Sequence, residues 1–124
     1  KDDVLYVDAP AEDIPLKGNT IDVLRSYDCL DHGWDWRRAI ESCIRISKRC
    51  FLAFDCRGDN LEDVERRQAM EDKDHVQFIQ FDQVTDFMFT PRIQKLVKAG
   101  PFSREVIVSD LSRKAWPVAT ISVA

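Results

Sequence analysis

Two short apolar runs joined by one crossover constrain this chain more than anything else in it. Residues 20–25 (T-I-D-V-L-R) and 50–55 (C-F-L-A-F-D) have strand length, and between them lie a polar crest over 26–34 and an amphipathic stretch over 35–48. Strands joined by a helical crossover of this size lie parallel, and right-handed connection leaves few arrangements. In an open parallel sheet, ligands bind just beyond the carboxyl ends of the strands. The crest Ser26-Tyr27-Asp28-Cys29-Leu30-Asp31-His32 is therefore the first place to look for a site. The crossover reads as a helix capped by Asp35, with Trp36, Ala39, Ile40, Cys43, Ile44 and Ser47 on its buried stripe. Arg37, Arg38, Glu41, Arg45 and Lys48 form its solvated face.

With 124 residues the chain has room for one modest core, so a single α/β domain is expected. Its net charge of -4, with acids and bases interleaved, offers no basic face for nucleic acid or an anionic membrane. No apolar run approaches the roughly 18 residues of a spanning helix, and the first residues are not a signal peptide, so an intracellular, cytoplasmic chain is expected. The four cysteines, Cys29, Cys43, Cys50 and Cys56, show neither a C-x-x-C pair nor zinc spacing with histidine. They read as reduced thiols with no metal role, Cys29 standing apart because it sits on the crest.

The remaining elements follow from local signals. Residues 4–7 (V-L-Y-V) read as a first strand, and Pro10, Pro15 and Lys17-Gly18-Asn19 as turns leading into the strand over 20–25. Beyond the second strand, residues 61–73 have a charged helical pattern, and residues 76–81 alternate as an extended segment would. Phe87, Met88 and Phe89 read as core or a greasy patch. Thr90 and Pro91 start a helix with Ile93, Leu96 and Val97 buried, and Gly100 stops it before Pro101. Residues 105–109 and 118–123 read as two strands of an antiparallel hairpin, since their connector is short.

Several strings in this order resemble one family. A-E-D-I-P-L-K-G-N-T-I-D-V from Ala11, then L-D-H at the crest, D-W-R-R-A-I-E and R-I-S-K are similar to the middle of class I S-adenosylmethionine-dependent methyltransferases of the small-molecule branch. The resemblance is close over the first half of the chain and holds in outline beyond it. It implies a partial three-layer Rossmann-like fold: a mostly parallel sheet with a C-terminal antiparallel hairpin whose final strand slips between its predecessors. It also implies S-adenosylmethionine as cofactor and a small-molecule methyl acceptor.

Carried over residue by residue, the resemblance places Ala11 and Glu12 at the adenine, although Pro10 stands where the pattern has an adenine-contacting Asp. It places Ser26 and Tyr27 near the methionine part of the cofactor, and Asp31, His32 and Trp34 near the acceptor. His32 with Asp31 is the candidate catalytic pair, because a histidine beside a carboxylate suits proton transfer near neutral pH. The competing reading gives His32 a packing role at the helix entry. His75 roughly fits an H-x-x-x-F segment of the same branch. The family's glycine-rich cofactor turn and ribose-binding acid precede the matched region, and Gly18, Gly33, Gly58 and Gly100 form no G-x-G.

The chain is accordingly expected to be the carboxyl-terminal portion of a longer methyltransferase domain, inactive by itself and binding the cofactor weakly or not at all. A second reading is a half or degenerate relative that acts through protein contacts or self-association. On either reading the strand over 20–25 lies at an edge, expected to be covered by residues 4–7 folding back, by a missing N-terminal segment, or by a second copy in a homodimer.

Overall fold

The computed structural model describes residues 4–56, 77, 79–98, 103–112 and 119–124. Its elements are β1 (Ile21–Tyr27), α1 (Trp36–Ile46), β2 (Ser47–Phe54), α2 (Phe81–Met88), α3 (Pro91–Val97), β3 (Glu105–Asp110) and β4 (Thr120–Val123), with 3-10 turns at Ala11–Asp13 and Leu30–His32. The expected parallel pair is present: β1 runs beside β2 with Ile21 opposite Ser47 and Tyr27 opposite Ala53. α1 is its crossover.

α1 forms where the stripe and cap place it. Asp35 accepts a hydrogen bond from the Arg38 N–H at 3.2 Å, and Trp36, Ala39, Ile40, Cys43 and Ile44 are buried. The helix stops earlier than its charged face suggests. Ser47 turns its hydroxyl back to the Cys43 carbonyl at 2.6 Å while its own backbone is already extended. Ser47 and Lys48 therefore belong to β2 rather than to the helix.

The sheet order is β1-β2-β3-β4 among the described residues. β3 is parallel to β2, with Arg49 opposite Glu105, and β4 is antiparallel to β3, with Val108 opposite Ile121. The hairpin is as expected, but the insertion of the last strand between its predecessors is not: β4 lies outermost. The place beside β2 is held for β3 by Arg104, which is only 5% exposed. Its guanidinium donates to the Ser47 carbonyl at 3.1 Å, to the Arg45 carbonyl at 3.4 Å and to the Leu96 carbonyl. That ties the start of β3 to the α1–β2 junction and to the end of α3.

Strand alternation divides the sheet into two faces. Cys50, Leu52, Phe54, Val106, Val108, Ile121 and Val123 point into one core with Ile40, Ile44, Val84, Met88, Ile93 and Val97. The opposite face carries Val23, Arg25 and Tyr27 from β1, Arg49, Phe51 and Ala53 from β2, and Ile107 and Ser109 from β3. Instead of the expected three layers, the described residues form two. The cause is topological: from β1 to β3 the chain moves across the sheet in one direction, and right-handed crossovers then put the described helices on the same side.

Two local expectations are corrected. Residues 4–7 form no strand; Val4, Leu5, Tyr6 and Val7 are exposed, at 59%, 82%, 88% and 45%. The alternation expected through Phe81 ends early, because Phe81 opens α2, a helix whose buried residues are Val84 and Met88. Of the greasy trio, Met88 is core and Phe87 meets Trp36 edge to face at 5.4 Å between centroids, while Phe89 is exposed. α3 begins as expected, with Thr90 accepting from the Ile93 N–H and Pro91 at the first position. The charged stretch over 61–73, His75, Gly100 and most of the hairpin connector lie outside the described residues. No helix among the described residues is long and apolar enough to cross a membrane.

Candidate functional site

The crest emerges from the carboxyl end of β1, where the parallel topology places it. β1 extends through Ser26 and Tyr27, so these two residues leave the strand on opposite sides: Ser26 shares the Leu24 face toward α1, and the 74% exposed Tyr27 shares the open face. Asp28 then takes a left-handed conformation with φ of 58°, and its N–H donates to the Ala53 carbonyl at 2.7 Å. Aspartate tolerates this region better than most side chains. The strand is thereby turned over the end of β2 and into the 3-10 turn Leu30–His32.

Within that turn the candidate pair comes together. His32 Nε2 lies 3.8 Å from Asp31 Oδ2; the Asp31 side chain is 2% exposed and that of His32 is 44% exposed. A buried carboxylate thus stands behind an imidazole that reaches solvent. One ligand atom each from Asp28, Asp31 and His32 lies within 4.8 Å of the others, the one such grouping among the described residues. The exposed Cys29 donates its thiol to the Tyr27 carbonyl at 3.1 Å. Burial first, then the nearby Glu12 charge, raises the Cys43 thiol to about 12. Cys50 is raised to about 12 by burial and then by Cys43, against an opposing hydrogen bond from Ser47. Both thiols are buried and held protonated by that burial.

Two side chains outside the crest fix its shape. Glu12, 5% exposed, accepts the Trp34 N–H at 2.8 Å and the Asp35 N–H at 3.1 Å, both through Oε2. A negative charge at the entrance of α1 also opposes the positive end of the helix dipole. Gly33 is required there because a Cβ at that position would lie 2.3 Å from the same oxygen. Gln77 closes the other side: its Oε1 accepts the Trp36 N–H at 2.8 Å and its Nε2 donates to the Leu30 carbonyl at 2.9 Å. Sequence reasoning missed Gln77, a polar residue in an alternating run with no motif around it.

Of the expected cofactor residues, Ala11 packs against the core and Glu12 is committed to the crest backbone. The cleft of about 300 Å³ beside Glu12 is lined by Arg38, Glu41, Ser42, Arg45 and Arg92 among others. Its cations are already engaged. Arg45 donates to the Leu16 and Ile14 carbonyls at 2.7 and 2.9 Å, Arg92 forks onto Glu41 at 2.6 and 3.0 Å, and Arg38 lies over the Trp34 ring at 5.0 Å. This seam fastens residues 11–16 along α1.

A second concavity, of about 460 Å³, lies on the open sheet face among Arg25, Tyr27, Phe51, Ala53, Ile107 and Ser109. Arg25 and Arg49 flank the Phe51 ring at 5.8 and 5.6 Å. Parallel sheets are normally covered on both faces, so this apolar floor is unusual. In comparisons with known proteins, no family model, no curated protein and no solved structure matches the chain.

Proposed function

We propose that this chain is part of an S-adenosylmethionine-dependent methyltransferase acting on a small molecule, with the crest from Tyr27 to His32 on the acceptor side. The observation that carries the reading is the crest's position: it stands over the carboxyl ends of a parallel pair and presents an exposed imidazole backed by a buried carboxylate. In that role His32 takes the proton that an acceptor heteroatom loses, and Asp31 orients the imidazole. The motif order from Ala11 to Lys48 supplies the methyltransferase class.

The cofactor side does not fit on these residues alone. Glu12, the acid nearest the expected adenine position, spends its Oε2 on two backbone N–H groups, and Pro10 offers neither an acceptor side chain nor a donor. No glycine turn accompanies them. The described residues therefore furnish one wall of a site, and no chemical step through the cofactor is derived from them. The second reading, a methyltransferase-like half that works through protein contacts, is favoured by a separate observation: among the described residues β1 has no strand neighbour on its outer edge and nothing covers the sheet face opposite α1.

Saturation-transfer NMR with S-adenosylmethionine tests the first reading, because it detects weak ligands. We expect saturation of adenine and methyl protons, reduced by Tyr27→Ala. Absence of any transfer would reject the methyltransferase reading and leave the second. A low-micromolar dissociation constant by calorimetry would instead show that these residues make a complete cofactor site.

A further inference from the structure

Two features of the fold are incomplete in complementary ways. Among the described residues β1 is an edge strand, so alternate backbone N–H and C=O groups along it have no ladder partner among them, beside an apolar face. Residues 4–7 are an exposed V-L-Y-V segment rich in strand-forming side chains, and none of it is paired in a sheet. Charge completes the match. Arg25, on the open face of β1, has no carboxylate partner among the described residues, its recorded contact being the Phe51 ring. Asp8, which follows the V-L-Y-V segment, is exposed and likewise has no cationic partner among them.

We propose that residues 4–8 of a second copy of this chain add to the β1 edge as a parallel strand, and that two copies exchange this arm reciprocally across a twofold axis. One register matches the charged pair and leaves Leu5 beside Asp22, whose carboxylate already meets Lys48 at 3.2 Å at the exposed edge. With Val4 opposite Ile21, Tyr6 stands beside Val23 and Asp8 beside Arg25 on the open face, while Val7 stands beside Leu24 on the α1 face. The antiparallel alternative on the same span puts Val4 beside Arg25 and Asp8 beside Ile21, which leaves both charges unmatched. Backbone hydrogen bonds supply affinity in such strand addition and the alternate side chains supply register.

The occupant is a second copy for a reason of contact. An arm docked on its own chain adds one short ladder and leaves the exposed Tyr27 as it was. Reciprocal exchange makes two ladders and brings the partner's surface over the edge of the open face, which suits the roughly 1,000 Å² that a specific interface needs. The inference does not depend on the methyltransferase reading.

Sedimentation equilibrium of the full chain over a dilution series tests it, with circular dichroism confirming that each variant is folded. A dimer is expected. Asp8→Arg and Arg25→Asp should each weaken it by about tenfold, and the double exchange should restore it to within about threefold, the signature of one coupled pair. Amide exchange along β1 should slow as dimer forms. A monomer at every concentration would overturn the proposal, with slow exchange in β1 then pointing to same-chain docking. A dimer indifferent to both substitutions would overturn it as well, since another surface would be responsible.

Discussion

Replacing Glu12 by alanine is the sharpest test of how the crest is held. The side chain is 5% exposed and its Oε2 accepts two backbone N–H groups, from Trp34 and Asp35, at 2.8 and 3.1 Å. Hydrogen bonds to an ionised group contribute about 1.5–3 kcal/mol. The charge adds roughly 0.5–1 kcal/mol through the dipole of α1. With two such bonds, Glu12→Ala should lower the unfolding free energy by about 3.5 kcal/mol or more, and Glu12→Gln, which keeps an acceptor, by roughly half of that. In urea, with a slope of about 1–3 kcal/mol per molar, the midpoint should fall by about 1 M or more at unchanged slope. Gly33→Ala supplies the second edge of a cycle, because its Cβ would lie 2.3 Å from that same oxygen and would evict the carboxylate. In the wild-type background it should cost about 2 kcal/mol, and in the Glu12→Ala background under about 0.5 kcal/mol. Additive costs, or a Glu12→Ala effect below about 0.5 kcal/mol, would refute the clamp.

Other consequences are measured more simply. Cys43 and Cys50 are raised by burial from 9.0 to about 12, so the folded state holds its thiol protons more tightly than the unfolded chain. Their contribution is complete below pH 9 and is lost as pH rises from 9 toward 12, which alkaline melts should show and a Cys43→Ala, Cys50→Ala chain should show less. In the native state iodoacetamide should label Cys29 and spare the three buried thiols, Cys43, Cys50 and Cys56; rapid labelling of Cys43 would contradict the packing. Asp28→Val should cost about 1–2 kcal/mol because of the left-handed backbone, and Asp28→Gly should be close to neutral in stability. Arg104→Met should destabilise by about 3 kcal/mol, since three carbonyls lose their donor, and should loosen exchange at the β2–β3 ladder first.

What the sequence made legible is what rests on periodicity and caps. The apolar stripe of α1, the Asp35 and Thr90 caps and the parallel β1–β2 pair follow from spacing and from the crossover rule. What it hid depends on long-range polar contacts. Nothing near Arg104 says that its guanidinium reaches back to Ser47, 57 residues away, and sets the strand order. Nothing near Gln77 says that it closes the crest. The V-L-Y-V segment has strand propensity, yet propensity forms no strand without a neighbour to pair with, and in this chain residues 4–7 have none. Phe81 was misassigned for a related reason: a short alternating run carries two apolar positions that also fit the first turn of a helix. At the site, the proximity of Asp31 and His32 was readable because they are adjacent in sequence, whereas the commitment of Glu12 to the backbone of Trp34 and Asp35 was not.

The central claim is that the crest, and not the open sheet face, forms the wall of the proposed site. Nitrogen-15 chemical-shift mapping with S-adenosylmethionine tests it residue by residue, in wild type and in His32→Ala. The account predicts shifts confined to Asp28–His32 and the adjoining Trp34 amide. Shifts centred on Arg25, Phe51 and Ile107, or none at all at saturating ligand, would contradict it.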